Sequence, residues 1–176
     1  MVRLVADSSA LILFAKSGLL EIVCEVYEVL APSAVRAEVA NEALIRRHPD
    51  AALISELITK GALKIETVGT AESTLPISLH PGEKEVLLLA KERPGSRFAT
   101  DDGKAIKAAR FLKVPFVITP RIVVELFRLE RLSLTKARGV LEKLSLIGRY
   151  SPEIIAEALV SLLEERNGKA DHGQNT

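Results

Sequence analysis

The stretch Val2-Arg3-Leu4-Val5-Ala6-Asp7-Ser8-Ser9 sets the frame for the rest of the chain. Val2 to Ala6 is a short, mostly apolar run that stops at a carboxylate. It reads as a strand buried on both faces, not as a half-exposed alternating one. Ser8 or Ser9 is placed to cap a helix carrying Ala10, Leu11, Leu13 and Phe14. Gly18 separates that helix from a second around Leu19 to Val26, and Tyr27 to Ala31 reads as the next strand. Pro32 suits the first position of a helix reaching about Arg46, because its missing N–H costs nothing there. His48-Pro49-Asp50 opens a further helix closed by Gly61, followed by a strand over Leu63 to Val68.

The pattern continues after the loop-like, Pro-containing segment Gly69 to His80. Pro81-Gly82 starts a helix to about Arg93, Arg97 to Thr100 is a strand, Asp102 to Leu112 a helix and Pro115 to Ile118 a strand. Pro120 begins an all-helical end, with helices near Ser133 to Leu146 and Ser151 to Arg166. The polar residues 167–176 are expected to fray as a disordered tail. Strands alternating with helices imply an α/β fold: a central parallel sheet covered on both faces, plus C-terminal helices.

The chain has 176 residues and a formal net charge of +1 from 24 Lys and Arg against 23 Asp and Glu. That balance argues against a uniformly basic nucleic-acid binder and leaves room for a local patch. A single cysteine, Cys24, excludes an intrachain disulfide and a Cys-based zinc site. No apolar run approaches the roughly 20 residues that cross a bilayer. Arg3 and Asp7 interrupt the N-terminus where a secretion signal needs an apolar core, so a cytoplasmic location is expected. Asn and Gln are scarce, a trend of heat-adapted proteins.

In open parallel sheets, ligands bind beyond the carboxyl ends of the strands. Asp7 follows the first strand there, and Asp101-Asp102 follows the strand ending at Thr100. No glycine-rich phosphate loop accompanies either turn. A helix cap is the competing account of Asp7, and one of the Asp101-Asp102 pair is expected to cap the following helix, leaving the other to be explained. Glu83 adds to the picture: on a helical wheel Val86, Leu87 and Ala90 lie within roughly 60° of it, whereas Glu85 points away. A carboxylate on the sheet-facing side is costly unless paired, neutralised or bound to a metal, although a first-turn carboxylate also suits the helix dipole. Glu38 shares a helix side with Ala34, Val35 and Ile45; a solvated flank would look the same.

Four segments in order carry a resemblance: V-A-D-S-S-A-L-I, A-P-S-A-V-R-A-E-V, P-G-E-K-E-V-L-L-L-A-K and F-A-T-D-D-G-K-A-I-K-A-A. They resemble the four motifs of PIN-domain nucleases, most closely a VapC-like subgroup with Gly-Glu before an apolar helix and with C-terminal helices like those around G-R-Y-S-P-E-I-I. The resemblance spans residues 2 to 130 by these motifs. It implies a Rossmann-like three-layer sandwich over 1–130 with a helical extension over 131–166. It also implies a metal-dependent endoribonuclease whose acidic cluster holds Mg²⁺ or Mn²⁺. Matching the motifs residue by residue makes Asp7, Glu38, Glu83, Asp101 and Asp102 the catalytic candidates. Asp7, Glu83 and either Asp101 or Asp102 would be the metal ligands. Many members have Asp where this chain has Glu83.

Hard oxygen donors suit such an ion, which would relieve the mutual repulsion of converging carboxylates. Ser9 and Thr100 could hydrogen-bond the ligands, or simply act as a cap and a strand end. Lys104, Lys107 and Arg110, about a turn apart, and Arg36 could meet the phosphates of a single-stranded RNA, although scattered cations usually mark a solvated face. Aromatics make up only 4% of the chain, so base stacking is not expected to dominate.

A receiver-like domain would place its acidic doublet after the first strand. A haloacid-dehalogenase-type phosphatase would want Asp at position 9. The stronger rival is a catalytically inactive PIN-like module for RNA binding or protein assembly. The family resemblance further implies a homodimer, for which Val123, Leu126, Phe127, Leu141 and Leu144 offer an apolar seam, although packing onto their own sheet would use them equally well. It also implies either an RNA-processing role or a toxin held by an antitoxin-type protein inhibitor.

Overall fold

The computed structural model describes residues 1–68 and 81–173. The segment from Gly69 to His80 and the last three residues lie outside it. Two compact units make up the chain, Met1–Ile118 and Thr119–Thr176. This division falls ahead of the boundary at residue 130 expected from the sequence.

The first unit is built on five parallel strands: β1 (Arg3–Ala6), β2 (Glu28–Pro32), β3 (Leu63–Glu66), β4 (Ser96–Ala99) and β5 (Phe116–Val117). Their spatial order is β3-β2-β1-β4-β5. The chain winds outward from β1 to β3, then crosses back to place β4 on the other side of β1. Right-handed crossovers in opposite directions put helices on opposite faces, which is the expected covered sandwich. Leu4, Val5, Ala6, Val29, Leu30, Ala31, Phe98 and Ala99 are fully buried. Continuous burial is why these strands show apolar runs and no alternation.

Between the strands lie α1 (Ser8–Ser17), α2 (Leu20–Val26), α3 (Ser33–Val39), α4 (Glu42–Ile45), α5 (Pro49–Thr59), α6 (Pro81–Glu92) and α7 (Gly103–Phe111). Gly18 ends α1 in the left-handed region at φ 76°, a conformation a side chain would strain. Glu28 takes charge-assisted bonds from Arg3 Nε and Lys64 Nζ, each 2.9 Å, fastening β1, β2 and β3 at their N-terminal ends. Arg93 closes the end of α6 onto β3 through Glu66 Oε2, at 3.0 Å from Nε and 2.6 Å from Nη2.

Several local expectations are corrected. Asp7, not Ser8 or Ser9, caps α1. The helix expected from Pro32 to Arg46 is two helices. Pro32 ends β2, and the break comes at Ala40 (φ −137°, ψ 39°). Asn41 causes it, because its Oδ1 accepts the Leu44 N–H at 3.0 Å and its Nδ2 donates to the Ala37 carbonyl at 3.2 Å. An amide side chain thus supplies the backbone with an alternative to a continuous helix.

The second unit comprises α8 (Thr119–Arg128), α9 (Leu134–Ile147) and α10 (Pro152–Gly173), which pack on one another. α10 extends past Arg166 to Gly173, into the expected tail. Val123, Leu126, Phe127, Leu141 and Leu144 are buried within the chain and so are unavailable as a dimer seam. Exposed apolar side chains of this unit are instead Leu129, Leu146, Ile147, Val160 and Leu163. No helix among the described residues is long and apolar enough to cross a membrane.

Phe98→Ala removes a fully buried ring from the strand beside β1. The expected loss is about 3–5 kcal/mol of stability in urea unfolding, since the surrounding sheet cannot collapse into the space.

Candidate active site at the sheet switch point

Winding reverses between β1 and β4, and a crevice opens beyond their carboxyl ends at such a reversal. Ala6 is in register with Ala99, so the two residues that follow, Asp7 and Thr100, are lateral neighbours. The Asp7 N–H continues the ladder to the Ala99 carbonyl at 3.1 Å.

Asp7 is the focus of the network here. Its Oδ1 accepts the Ala10 N–H at 2.9 Å and the Ser9 hydroxyl at 2.7 Å. Its Oδ2 accepts the Thr100 hydroxyl. The direction of both hydroxyl bonds is fixed by what those oxygens receive. Ser9 Oγ accepts the Asp101 N–H at 2.9 Å, and Thr100 Oγ1 accepts the Asp102 N–H at 3.2 Å. Each hydroxyl therefore accepts a hydrogen bond from an amide of the β4–α7 turn and donates one to Asp7. Three donors around one carboxylate favour its ionised form.

Burial works the other way. Asp7 is only 5% exposed. That desolvation dominates and pushes its carboxyl from 3.8 up to about 6, against the bonds from Thr100, Ala10 and Ser9; the nearby Asp101 carboxylate adds a smaller upward push. The sequence pair Asp101-Asp102 divides its labour. Asp102 caps α7, its Oδ1 accepting the N–H groups of Lys104 at 2.8 Å and Ala105 at 2.9 Å. Asp101 is the member whose charge acts on Asp7.

Glu38 is exposed on α3, and the Ser8 hydroxyl donates to its Oε2. Its other oxygen, Oε1, lies 2.6 Å from where a Cβ on Gly82 would stand. The carboxylate thus rests against the first turn of α6, where any side chain at 82 would displace it. Glu83 follows in that turn and is half-buried. The wheel contrast between Glu83 and Glu85 is corrected: Lys84 and Glu85 are half-buried too. The run Val86 to Ala90 is buried around the whole helix, so no single face marks the sheet side.

Arg36 is exposed on α3, as are Lys104, Lys107 and Arg110 on α7. The Arg110 guanidinium sits 5.5 Å from the Phe116 ring centroid. Ser8 and Gly82 are the residues that site reasoning from the sequence passed over. A second hydroxyl directly after the strand-ending Asp7 is a signal for the former; the close approach to Glu38, visible only in three dimensions, identifies the latter.

A family model described as a PIN domain matches residues 3–165. The chain belongs to the PIN-domain family. PIN domains are in general metal-dependent nucleases that act on RNA. The match includes α8 and α9 and most of α10, so the C-terminal helices belong to the family's extent. No curated protein and no solved structure matches this chain.

The donor set of this PIN domain is all oxygen, which suits a hard dication. Among the described residues, however, no three His, Cys, Asp or Glu side chains converge as a ready-made cage. Mg²⁺ does not require one, because it binds through one or two carboxylates and keeps waters for substrate phosphate to replace. Asp7 with Asp101 fits that pattern.

The raised Asp7 carboxyl has a pH consequence. Its proton binding favours the native state, so the associated stability is complete below about pH 3.8 and is lost as pH rises through about 6. Without added metal, wild type should lose up to about 3 kcal/mol of stability between pH 4 and pH 7.5 through this group, and Asp7→Asn, whose amide does not titrate, should lack that slope. Urea unfolding of both proteins at the two pH values measures it.

Gly82→Ala tests the second contact. The Glu38 side chain is exposed and swings aside, losing its Ser8 bond, and the gain of about 0.5–1 kcal/mol from Gly→Ala within a helix offsets that loss, so overall stability should change by no more than about 0.5 kcal/mol. In wild type, Ser8→Ala should cost about 0.5–1.5 kcal/mol, and in the Gly82→Ala background nothing further. A double-mutant cycle in urea measures both.

Proposed function

We propose that this PIN domain is an endoribonuclease that hydrolyses RNA phosphodiester bonds with Mg²⁺ or Mn²⁺ held by Asp7 and Asp101. One observation carries the reading: a buried carboxylate at the sheet switch point receives three hydrogen-bond donors beside a second carboxylate. A structural cap requires only the bond to Ala10. The hydroxyls of Ser9 and Thr100 do more, since they fix the Asp7 carboxylate in one orientation and preserve its charge where burial would discharge it. A dication bound there supplies charge stabilisation for the phosphate oxygens and lowers the pKa of an attacking water.

The chain's own groups then have distinct parts. Asp7 would supply one ligand, its carboxylate held in orientation by Thr100 and Ser9. Asp101 supplies the second ligand. Asp102 holds the β4–α7 turn so that the Asp101 backbone reaches Ser9. Glu38 and Glu83, from α3 and from the first turn of α6, orient the water nucleophile. Lys104, Lys107 and Arg110 on one side and Arg36 on the other neutralise flanking phosphates. Single-stranded RNA is the proposed substrate, in a cytoplasmic role of RNA processing or as a toxin restrained by a protein inhibitor. A homodimer would have to use apolar side chains other than the buried ones of α8 and α9.

Cleavage of a labelled single-stranded RNA with Mn²⁺, Mg²⁺ or EDTA tests this. Wild type should cleave only with metal, and Asp7→Asn should lose about 100-fold or more. Mn²⁺ should also raise the melting temperature of wild type and not that of Asp7→Asn, because an ion that binds only the native state stabilises it. Metal-independent activity, or equal activity in both proteins, overturns the proposal. RNA binding without cleavage would instead favour the inactive module.

A further inference from the structure

The aromatic side chains of this chain are almost all covered. Phe14 and Phe98 are fully buried, Tyr27 is 3% and Phe127 8% exposed, and Phe116 and Tyr150 are half-buried. Phe111 is the exception, 65% exposed at the last position of α7. Keeping that ring in water is unfavourable by the usual cost of apolar surface, and a smaller or polar residue would fill the position as well.

Its surroundings say what would cover it. α7 carries Lys104, Lys107 and Arg110 and no acidic residue, in a chain whose charges otherwise nearly cancel. Lys107 stands three residues beyond Lys104, and Phe111 four beyond Lys107. At roughly 100° per residue all three fall within about 60° on the wheel. The buried Ala105 and Ala109 lie roughly 100° or more from that arc, and the buried Ala108 borders it. The result is one straight exposed stripe, cation, cation, ring, rising about 10 Å along the helix. It begins two residues past the Asp102 cap, beside the carboxylate site. Arg110 flanks it, held over Phe116, and Lys113 continues the positive charge past the helix end.

Resting on the RNA reading above, we infer that Phe111 is a nucleobase-stacking platform. It receives a base of the single strand whose phosphates run over Lys104 and Lys107 away from the cleavage site. Alternating phosphate contact and ring stacking is how sequence-tolerant single-strand binders hold their ligand. The stripe places one such stack at a fixed distance from the carboxylates. It therefore sets how much RNA must extend beyond the scissile bond on that side.

Binding of fluorescent single-stranded RNA in EDTA, which suppresses cleavage, tests the inference without relying on activity. Phe111→Ala should weaken affinity about tenfold with an unchanged salt slope, and Phe111→Trp should restore it. An oligomer made abasic throughout should bind wild type no better than Phe111→Ala binds intact RNA. Lys104→Ala with Lys107→Ala should lower both affinity and the salt slope. If the lysine changes act as stated and Phe111→Ala binds like wild type, the platform is wrong while the RNA reading stands. If wild type binds no RNA, or neither set of changes alters binding, the RNA reading fails and takes the platform with it. A change in oligomeric state on Phe111→Ala by light scattering, with RNA affinity intact, would make the ring a chain-to-chain contact and overturn the platform.

Discussion

A negative charge held away from water, where the winding of the sheet reverses, is the constraint from which the active-site arrangement follows. Asp7 ends β1, so its backbone is fixed by the ladder to β4 and its side chain has little freedom. Burial alone would keep the carboxyl protonated near neutrality. Two hydroxyls and a helix amide pull in the opposite direction without overcoming it, so the carboxyl stays raised, at about 6. A carboxylate poised in this way gains more from a cation than a solvated one would, because the ion removes both the desolvation cost and the repulsion from Asp101.

The same bonds join two parts of the chain that are distant in sequence. Ser9 and Thr100 each span from the β1–α1 turn to the β4–α7 turn, ninety-odd residues apart. Neither turn could shift without breaking a hydroxyl relay at its centre. Glu38 is tied more loosely, by an exposed hydroxyl and by the absence of a side chain at Gly82. The site thus combines a rigid pair, on strand ends, with a third carboxylate whose position depends on a steric allowance. Rigid ligands suit ion binding, whereas a mobile carboxylate can follow a substrate or a water.

Much of this was legible from residue order. Short apolar runs ending in Asp7 and Thr100-Asp101 announced parallel strands, and the rule of the switch point brought those ends together. Tertiary terms account for what was missed. The break at Ala40 depends on Asn41 bonding in both directions, a contest that propensity alone does not decide. Glu83 could not be oriented by a wheel because five consecutive apolar residues bury α6 all round. Sequence showed Gly82 as part of a motif, but its reason, the nearness of Glu38, lies on another helix. The apolar residues of α8 and α9 suited a dimer seam or the chain's own core equally well by sequence, and their partners are other helices of the same unit.

The two sheet margins have a further implication. At one rim β5 contributes only Phe116 and Val117; at the other, β3 carries Lys64 and Glu66, both engaged in ion pairs. A foreign strand seeking free amides would find either too little length or a charged border. For a polypeptide that is nearly half apolar, such rims guard against fibrillar self-association during synthesis or heating.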